Sequence, residues 1–268
     1  MYMTSLGPVS LPVVLALLSL AVAWLAVRFW PRPAGLGWRP AAALLVDMFL
    51  LGLVGGRALF VLRHLADYTA APWSVLRIGD GGFDALGFFA VAAAWAAWRL
   101  RATPTMRPAL LAAALLGAGA WLGGTQALQY WQARHVRLPA LVMRDLQGTA
   151  VPLPVAAGRP VVVNLWASWC GPCVREMPVL AKAQQREDRV RFVFVNQGED
   201  AATVDAFLRA HAPTLQGVLL DEASATSQAL GVQAYPGTLF FDGEGRLRDL
   251  HLGELTAAGL EHKLRRLR

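Results

Sequence analysis

The chain has 268 residues, length for roughly two domains. It is 56% hydrophobic and only 16% charged, too apolar for an ordinary soluble protein. The net charge of +7 does not point to nucleic acid, because much of the excess lies in arginines flanking apolar runs, as membrane topology requires. Residues 1–130 hold the long apolar runs and few acids. Residues 138–268 have a soluble mixture, and the polar stretch Gln132-Ala133-Arg134-His135-Val136-Arg137 divides the two.

Four segments in the first half are expected to span a membrane: about 10–28, 41–62, 83–98 and 108–127. The third is short and needs tilt or local thinning. Arg28, Arg32 and Arg39 follow the first segment, and Arg99, Arg101 and Arg107 lie between the third and fourth. The residues before the first segment carry no charged side chain. The positive-inside rule then puts both arginine loops in the cytoplasm and both termini outside. Further spans follow the first, so it does not read as a cleaved signal. Asp47 and Arg57 fall inside the second segment, where ionisable groups are costly. They read as a buried structural pair, as an Arg57 reaching the outer headgroups, or as a functional centre.

This half resembles the prolipoprotein diacylglyceryl transferase family through Leu53-Val54-Gly55-Gly56-Arg57-Ala58-Leu59-Phe60-Val61-Leu62 and Asp80-Gly81-Gly82-Phe83. The family's His-Gly-Gly is missing, and Leu86-Gly87-Phe88 stands there. Its later Gly-rich signature contains Arg, Asn and Glu, and Gly117–Thr125 has none of them. The resemblance therefore implies a degenerate relative that serves as a membrane anchor, not an active transferase.

In the second half, Val161–Trp166 is apolar and β-branched, as a buried strand is. A helix is expected from Gly171 to about Arg186, kinked at Pro178. Strands at Val190–Asn196 and Gly217–Leu220 alternate with helices at about 202–211 and 223–230. Thr238–Phe241 turns at Asp242-Gly243-Glu244-Gly245 into Arg246–Leu252, an Asp-Gly hairpin signal. Leu260, Leu264 and Leu267 mark one face of a last helix.

Residues 166–173 read Trp-Ala-Ser-Trp-Cys-Gly-Pro-Cys, and Cys170 and Cys173 are the only cysteines in the chain. A C-x-x-C at a strand-to-helix turn makes a dithiol that closes into a disulfide and reopens. The helix N-terminus favours thiolate at its first sulfur. A zinc site would need two more ligands, and His211, His251 and His262 show no ligand spacing. No metal and no cofactor are expected. The first half has no cysteine, so electrons cannot cross it by thiol–disulfide exchange.

The second half resembles the membrane-anchored TlpA/ResA/CcmG group of thioredoxin-like proteins. The matching residues are Leu138-Pro139, Asp145-Leu146-Gln147-Gly148, Asn164-Leu165-Trp166-Ala167, Trp169-Cys170-Gly171-Pro172-Cys173, Glu176-Met177-Pro178, Gly231-Val232 and Tyr235-Pro236. The expected architecture is an α-helical bundle of about four spans over 1–130, followed by an α/β thioredoxin-like domain over 138–268. Cys170 is expected to attack and Cys173, one turn further in, to resolve the mixed disulfide. Pro236 resembles the cis-proline facing the disulfide, which leaves the backbone of Tyr235 free for a substrate strand. Gly237 stands where many relatives have Thr. Glu176 resembles a Glu that tunes the cysteines; the other reading is a surface residue stabilised by the helix dipole. Asn164 stands where ordinary thioredoxins have a buried Asp, which leaves Glu176 to handle protons. Trp166 and Trp169 are expected as packing walls around the sulfurs, with Trp169 also touching substrate.

The resemblance implies a reductase of protein disulfides in the inner membrane of a bacterium, with its redox domain in the periplasm. A DsbD/CcdA-like transmembrane donor would supply it, and apocytochrome c or other oxidised periplasmic thiols would be its targets. Gly-Pro between the cysteines matches the reducing type. The alternatives are a disulfide-forming oxidase, and a lipid- or partner-binding membrane module with a tethered redox domain.

Overall fold

The computed structural model describes residues 5–6, 9–31, 37–70, 72–153 and 156–267; Arg32, counted above among the topology arginines, lies outside them. The chain forms two compact units. One is Pro12–Ala127, and the other is Leu128–Arg268 together with the residues up to Leu11.

The helical unit contains α1 (Leu11–Phe29), α2 (Arg39–Arg63), the short α3 (Leu65–Ala70), α4 (Ala85–Ala102) and most of α5 (Arg107–His135). Asp84 caps α4, accepting the backbone N–H of Leu86 at 2.9 Å and of Gly87 at 3.2 Å. Glycine lets α2 and α4 approach closely. A Cβ on Gly55 would lie 2.7 Å from the Gly87 carbonyl, and one on Gly87 would lie 2.5 Å from that of Gly55. Among the described residues, three helical stretches are long and apolar enough to cross a membrane: Leu11–Phe29, Arg39–Arg63 and Pro104–His135. The third expected span is present as α4 but is not among them. It has 18 residues and ends in a turn bearing Arg99 and Arg101.

Arg57 does not pair with Asp47, which is half-buried. Its partner is Asp80, at 2.7 Å. The same guanidinium donates to the carbonyls of Gly82 at 3.0 Å, Val75 at 3.0 Å and Ser74 at 3.2 Å. Tyr68 donates its hydroxyl to Asp80 at 3.1 Å. The Arg57 side chain therefore closes the connection between α3 and α4 onto α2.

In the other unit, β1 (Ser5–Leu6) pairs with β2 (Val9–Ser10) as a separate two-residue ladder. The main sheet is built from β3 (Val142–Arg144), β4 (Ala150–Pro152), β5 (Val161–Trp166), β6 (Arg191–Gln197), β7 (Val218–Asp221), β8 (Gly237–Phe241) and β9 (Leu247–Leu252), in the order β4-β3-β7-β6-β5-β8-β9. The helices α6 (Gly171–Arg186), α7 (Ala201–His211), α8 (Ala225–Leu230) and α9 (Ala257–Arg265) connect and follow these strands. β5 runs parallel to β6 and antiparallel to β8. Every residue of β5 is buried, and alternate side chains enter opposite cores. Val162 and Trp166 pack in the core that includes Met177 and Leu180 of α6 and Leu260 and Leu264 of α9. Val161, Val163 and Leu165 pack in the core with Leu230, Leu239 and Phe241. The β3–β4 hairpin was not expected from the sequence. Its strands have three residues each, too short for alternation to show.

Candidate redox site

Strand β5 ends at Trp166, and the chain turns into α6 through Ala167, Ser168 and Trp169. Glu199 braces this turn. It accepts the Ser168 backbone N–H at 2.7 Å, the Ser168 hydroxyl, and the Asn196 amide at 2.6 Å. Cys170 sits at the N-cap of α6 and is joined to Cys173 in a disulfide. The Cys173 N–H points at the Cys170 sulfur, 3.3 Å away. Cys170 is 6% exposed and Cys173 fully buried, so an incoming partner reaches Cys170 first.

Glu176 lies three residues beyond Cys173, on the same face of α6. It is fully buried, which excludes the surface-helix reading. The Asn164 amide donates to one carboxyl oxygen at 2.8 Å, and the Leu255 backbone N–H donates to the other at 2.9 Å. Asn164 also donates to the Thr238 hydroxyl at 3.0 Å. Burial pushes the Glu176 pKa from 4.5 up to about 8. The Leu255 and Asn164 hydrogen bonds pull it down, and the nearby Glu254 carboxylate pushes it up. Glu254 is itself tied to Arg175 at 2.8 Å. At neutral pH the acid form of Glu176 predominates.

The Tyr235–Pro236 bond is cis. Pro236 is buried and Tyr235 half-buried. The Tyr235 ring meets Trp169 edge-on with centroids 6.2 Å apart. Its hydroxyl lies 2.9 Å from that of Ser227, which bonds to Gln197, which in turn donates to Asp221 at 3.2 Å. A Cβ on Gly237 would lie 2.9 Å from Val232, so that neighbour occupies the room a larger residue needs. Trp166 is a buried wall, packed on Phe207 at 5.1 Å between centroids. Trp169 is not a wall: it is 69% exposed beside Cys170, because it lies on the turn outside both cores. It is an exposed aromatic ring at the rim.

Sequence reasoning missed Glu199, Leu255, Thr238 and Glu254. They reach the site from other elements, and no local pattern marks them. Chemically, the arrangement offers a disulfide whose first cysteine is the less buried of the two, a buried carboxyl that carries a proton near neutrality, and an aromatic rim.

A family model described as Redoxin matches residues 134–264. The chain is 33% identical over 130 residues to the thioredoxin-like protein YneN of Bacillus subtilis, covering 47% of this chain and 75% of that protein. It is 29% identical over 122 residues to the thiol-disulfide oxidoreductase ResA of Halalkalibacterium halodurans, covering 45% and 69%. Over 132 residues it is 33% identical to the thiol:disulfide interchange protein DsbE of Xylella fastidiosa, covering 49% and 65%.

Proposed function

The chain belongs to the redoxin family of thioredoxin-like proteins, and from that premise we propose that it is a membrane-anchored thiol:disulfide oxidoreductase that reduces protein disulfides on the outer face of the cytoplasmic membrane. The thiol:disulfide chemistry is that of its named relatives. The observation that carries the reading is the Cys170–Cys173 pair at the start of α6, with the buried Glu176 carboxyl one turn further along the same helix.

In the reduced protein, the Cys170 thiolate attacks one sulfur of a target disulfide. A Cys170–target bond forms, the target S–S bond breaks, and the second target sulfur leaves as a thiolate. Cys173 then loses its proton and attacks the Cys170 sulfur. The 170–173 disulfide forms, and the target departs with both its sulfurs reduced. Two electrons pass from the dithiol to the target. Glu176, one turn from Cys173, takes the proton of the resolving thiol when ionised, and holds it near neutral pH. Trp169 and Tyr235 supply apolar contact for the target chain, and Pro236 shapes the edge where that chain lies.

The three candidate spans support membrane anchoring, and the arginines at 28, 39, 99, 101 and 107 support an outward redox half. With no cysteine before Cys170, the helical half cannot relay electrons, so a separate transmembrane dithiol protein of the DsbD/CcdA type recharges the pair. Apocytochrome c and other oxidised periplasmic thiol proteins are the target class that the resemblance to the TlpA/ResA/CcmG group implies.

Trapping the thiols in intact cells with a membrane-impermeant maleimide tests direction and orientation together. Labelling of Cys170 and Cys173 without added reductant is the result expected of an outward-facing reductase. Labelling only after reductant, unchanged when candidate donors are deleted, would make the protein an oxidase. Labelling only after lysis would put the redox half in the cytoplasm.

A further inference from the structure

We propose that the basic concavity where the end of α5 meets the β8–β9 hairpin binds the headgroup phosphates of anionic phospholipids; this rests on the reading of α5 as a membrane span. The cavity, about 390 Å³, is lined by Tyr130, Ala133 and Arg134 of α5 with Arg137, Arg246 and Arg248. A second, of about 300 Å³, is also lined by Arg248; there Asp242 and Asp249 stand beside Lys263 and Arg266, and Lys263 is paired with Asp249 at 2.7 Å, so the excess charge lies in the first cavity.

Helix length puts this cavity at headgroup depth. At 1.5 Å per residue, the 29 residues of α5 run about 43 Å. A bilayer including its headgroup layers is about 40–45 Å thick. With Arg107 at one surface, Arg134 and His135 reach the phosphates of the other. Tyr130 and Trp131 just before them are both exposed, in the interfacial position where aromatic side chains collect. The Arg134 guanidinium lies 4.5 Å from the Tyr130 ring centroid.

The charges are unbalanced. Asp242 holds Arg246 and Arg248, each at 2.9 Å, and Glu244 takes a second nitrogen of Arg246 at 2.8 Å. Those contacts aim two guanidinium groups at the cavity wall. Arg134 and Arg137 pair with no carboxylate among the described residues. Four arginines facing two carboxylates leave a positive site, and guanidinium forks fit phosphate oxygens in pairs. The positive-inside rule does not ask for these arginines, since they lie at the opposite end of α5 from Arg99, Arg101 and Arg107. A phosphate in the cavity would bridge α5 and the hairpin and hold the redox half at the membrane surface.

The test is hydrogen exchange of segments 130–137 and 242–248 in the full chain. The chain is placed in nanodiscs of phosphatidylcholine alone, or with a quarter phosphatidylglycerol. Exchange slowed roughly threefold or more by phosphatidylglycerol, and not slowed in the Arg134→Gln/Arg137→Gln double variant, is the expected result. The double variant should keep disulfide-reducing activity, which shows that it folds. Equal exchange in both discs would overturn the proposal, as would slowing that survives in the double variant. Slowing by inorganic phosphate in phosphatidylcholine discs would make this a free-anion site. Slowing only by an acidic protein target would make it a partner surface. Release of the chain from cell membranes by alkaline washing would instead overturn the span reading itself.

Discussion

Arg57 in the helical half and Glu176 in the redox half are both buried ionisable side chains, and their surroundings differ in kind. Arg57 has a carboxylate at 2.7 Å and several carbonyl acceptors around one guanidinium. Its carboxylate partner, Asp80, also accepts from Tyr68 and from the Gly82 backbone N–H. Each charge there is answered by groups of the same unit, and the product is a pinned loop. Glu176 receives two hydrogen bonds, and burial outweighs them, so its proton stays on up to about pH 8. A cation stands one residue away at Arg175, but Glu254 engages it. A fully answered buried charge makes structure. An under-answered one, placed a turn from a disulfide, is a group that can trade its proton.

The largest expected effect separates the halves outright. Cys170→Ser should abolish disulfide reduction while leaving the amount of protein in the membrane unchanged. Cys173→Ala should still attack and should accumulate mixed disulfides, visible on a non-reducing gel. Arg57→Ala leaves Asp80 buried without its cation, which costs about 3–5 kcal/mol. Thermal unfolding of the detergent-solubilised chain should show this as a loss of stability in the helical half, with activity per folded molecule retained. Activity that falls with stability would break the division between the two centres.

The next prediction concerns Glu176 and has a definite sign. In the oxidised protein the cysteines do not titrate, so the group stands alone. Its folded pKa of about 8 lies above the ordinary 4.5, so the folded chain binds more protons than the unfolded chain in between. The stability that this one group contributes is therefore fully present below pH 4.5 and is lost as pH rises through 8, by a few kcal/mol at about 1.4 kcal/mol per unit. Glu176→Gln should flatten that slope in denaturant titrations; an unchanged slope would assign it to another group. The smallest effect belongs to the rim. Tyr235→Phe removes the hydroxyl bond to Ser227 and keeps the ring against Trp169. It should cost about 1 kcal/mol and leave turnover nearly unchanged.

What the sequence made legible was local. The C-x-x-C, the apolar run of β5 and the Asp-Gly turn before β9 are each signals within a few residues. The strands and helices expected in the redox half lie within two residues of their expected bounds, whereas α5 runs eight residues beyond its expected end at 127. The Asn164 amide that joins Glu176 to Thr238 spans three elements, 12 and 74 residues apart in the chain. No periodicity carries such a contact. Arg57 shows the same limit: Asp47 shares its helix, while its true partner, Asp80, is 23 residues on. Both residues lay in the motif segments quoted for the transferase resemblance, yet only folding joins those segments. Only the packing-wall expectation for Trp169 fails: aromatic residues beside cysteines suggest packing, and its exposure is a property of the turn braced by Glu199.

The most direct test of the account is an infrared pH titration of the Glu176 carboxyl in the oxidised full chain, isolated by subtracting the Glu176→Gln spectrum. A protonated carboxyl band that persists at neutral pH and disappears with a midpoint about 8 is the predicted result. A band that disappears near 4.5 would mean an ordinary carboxylate, and Glu176 would no longer be the proton-holding partner of the dithiol.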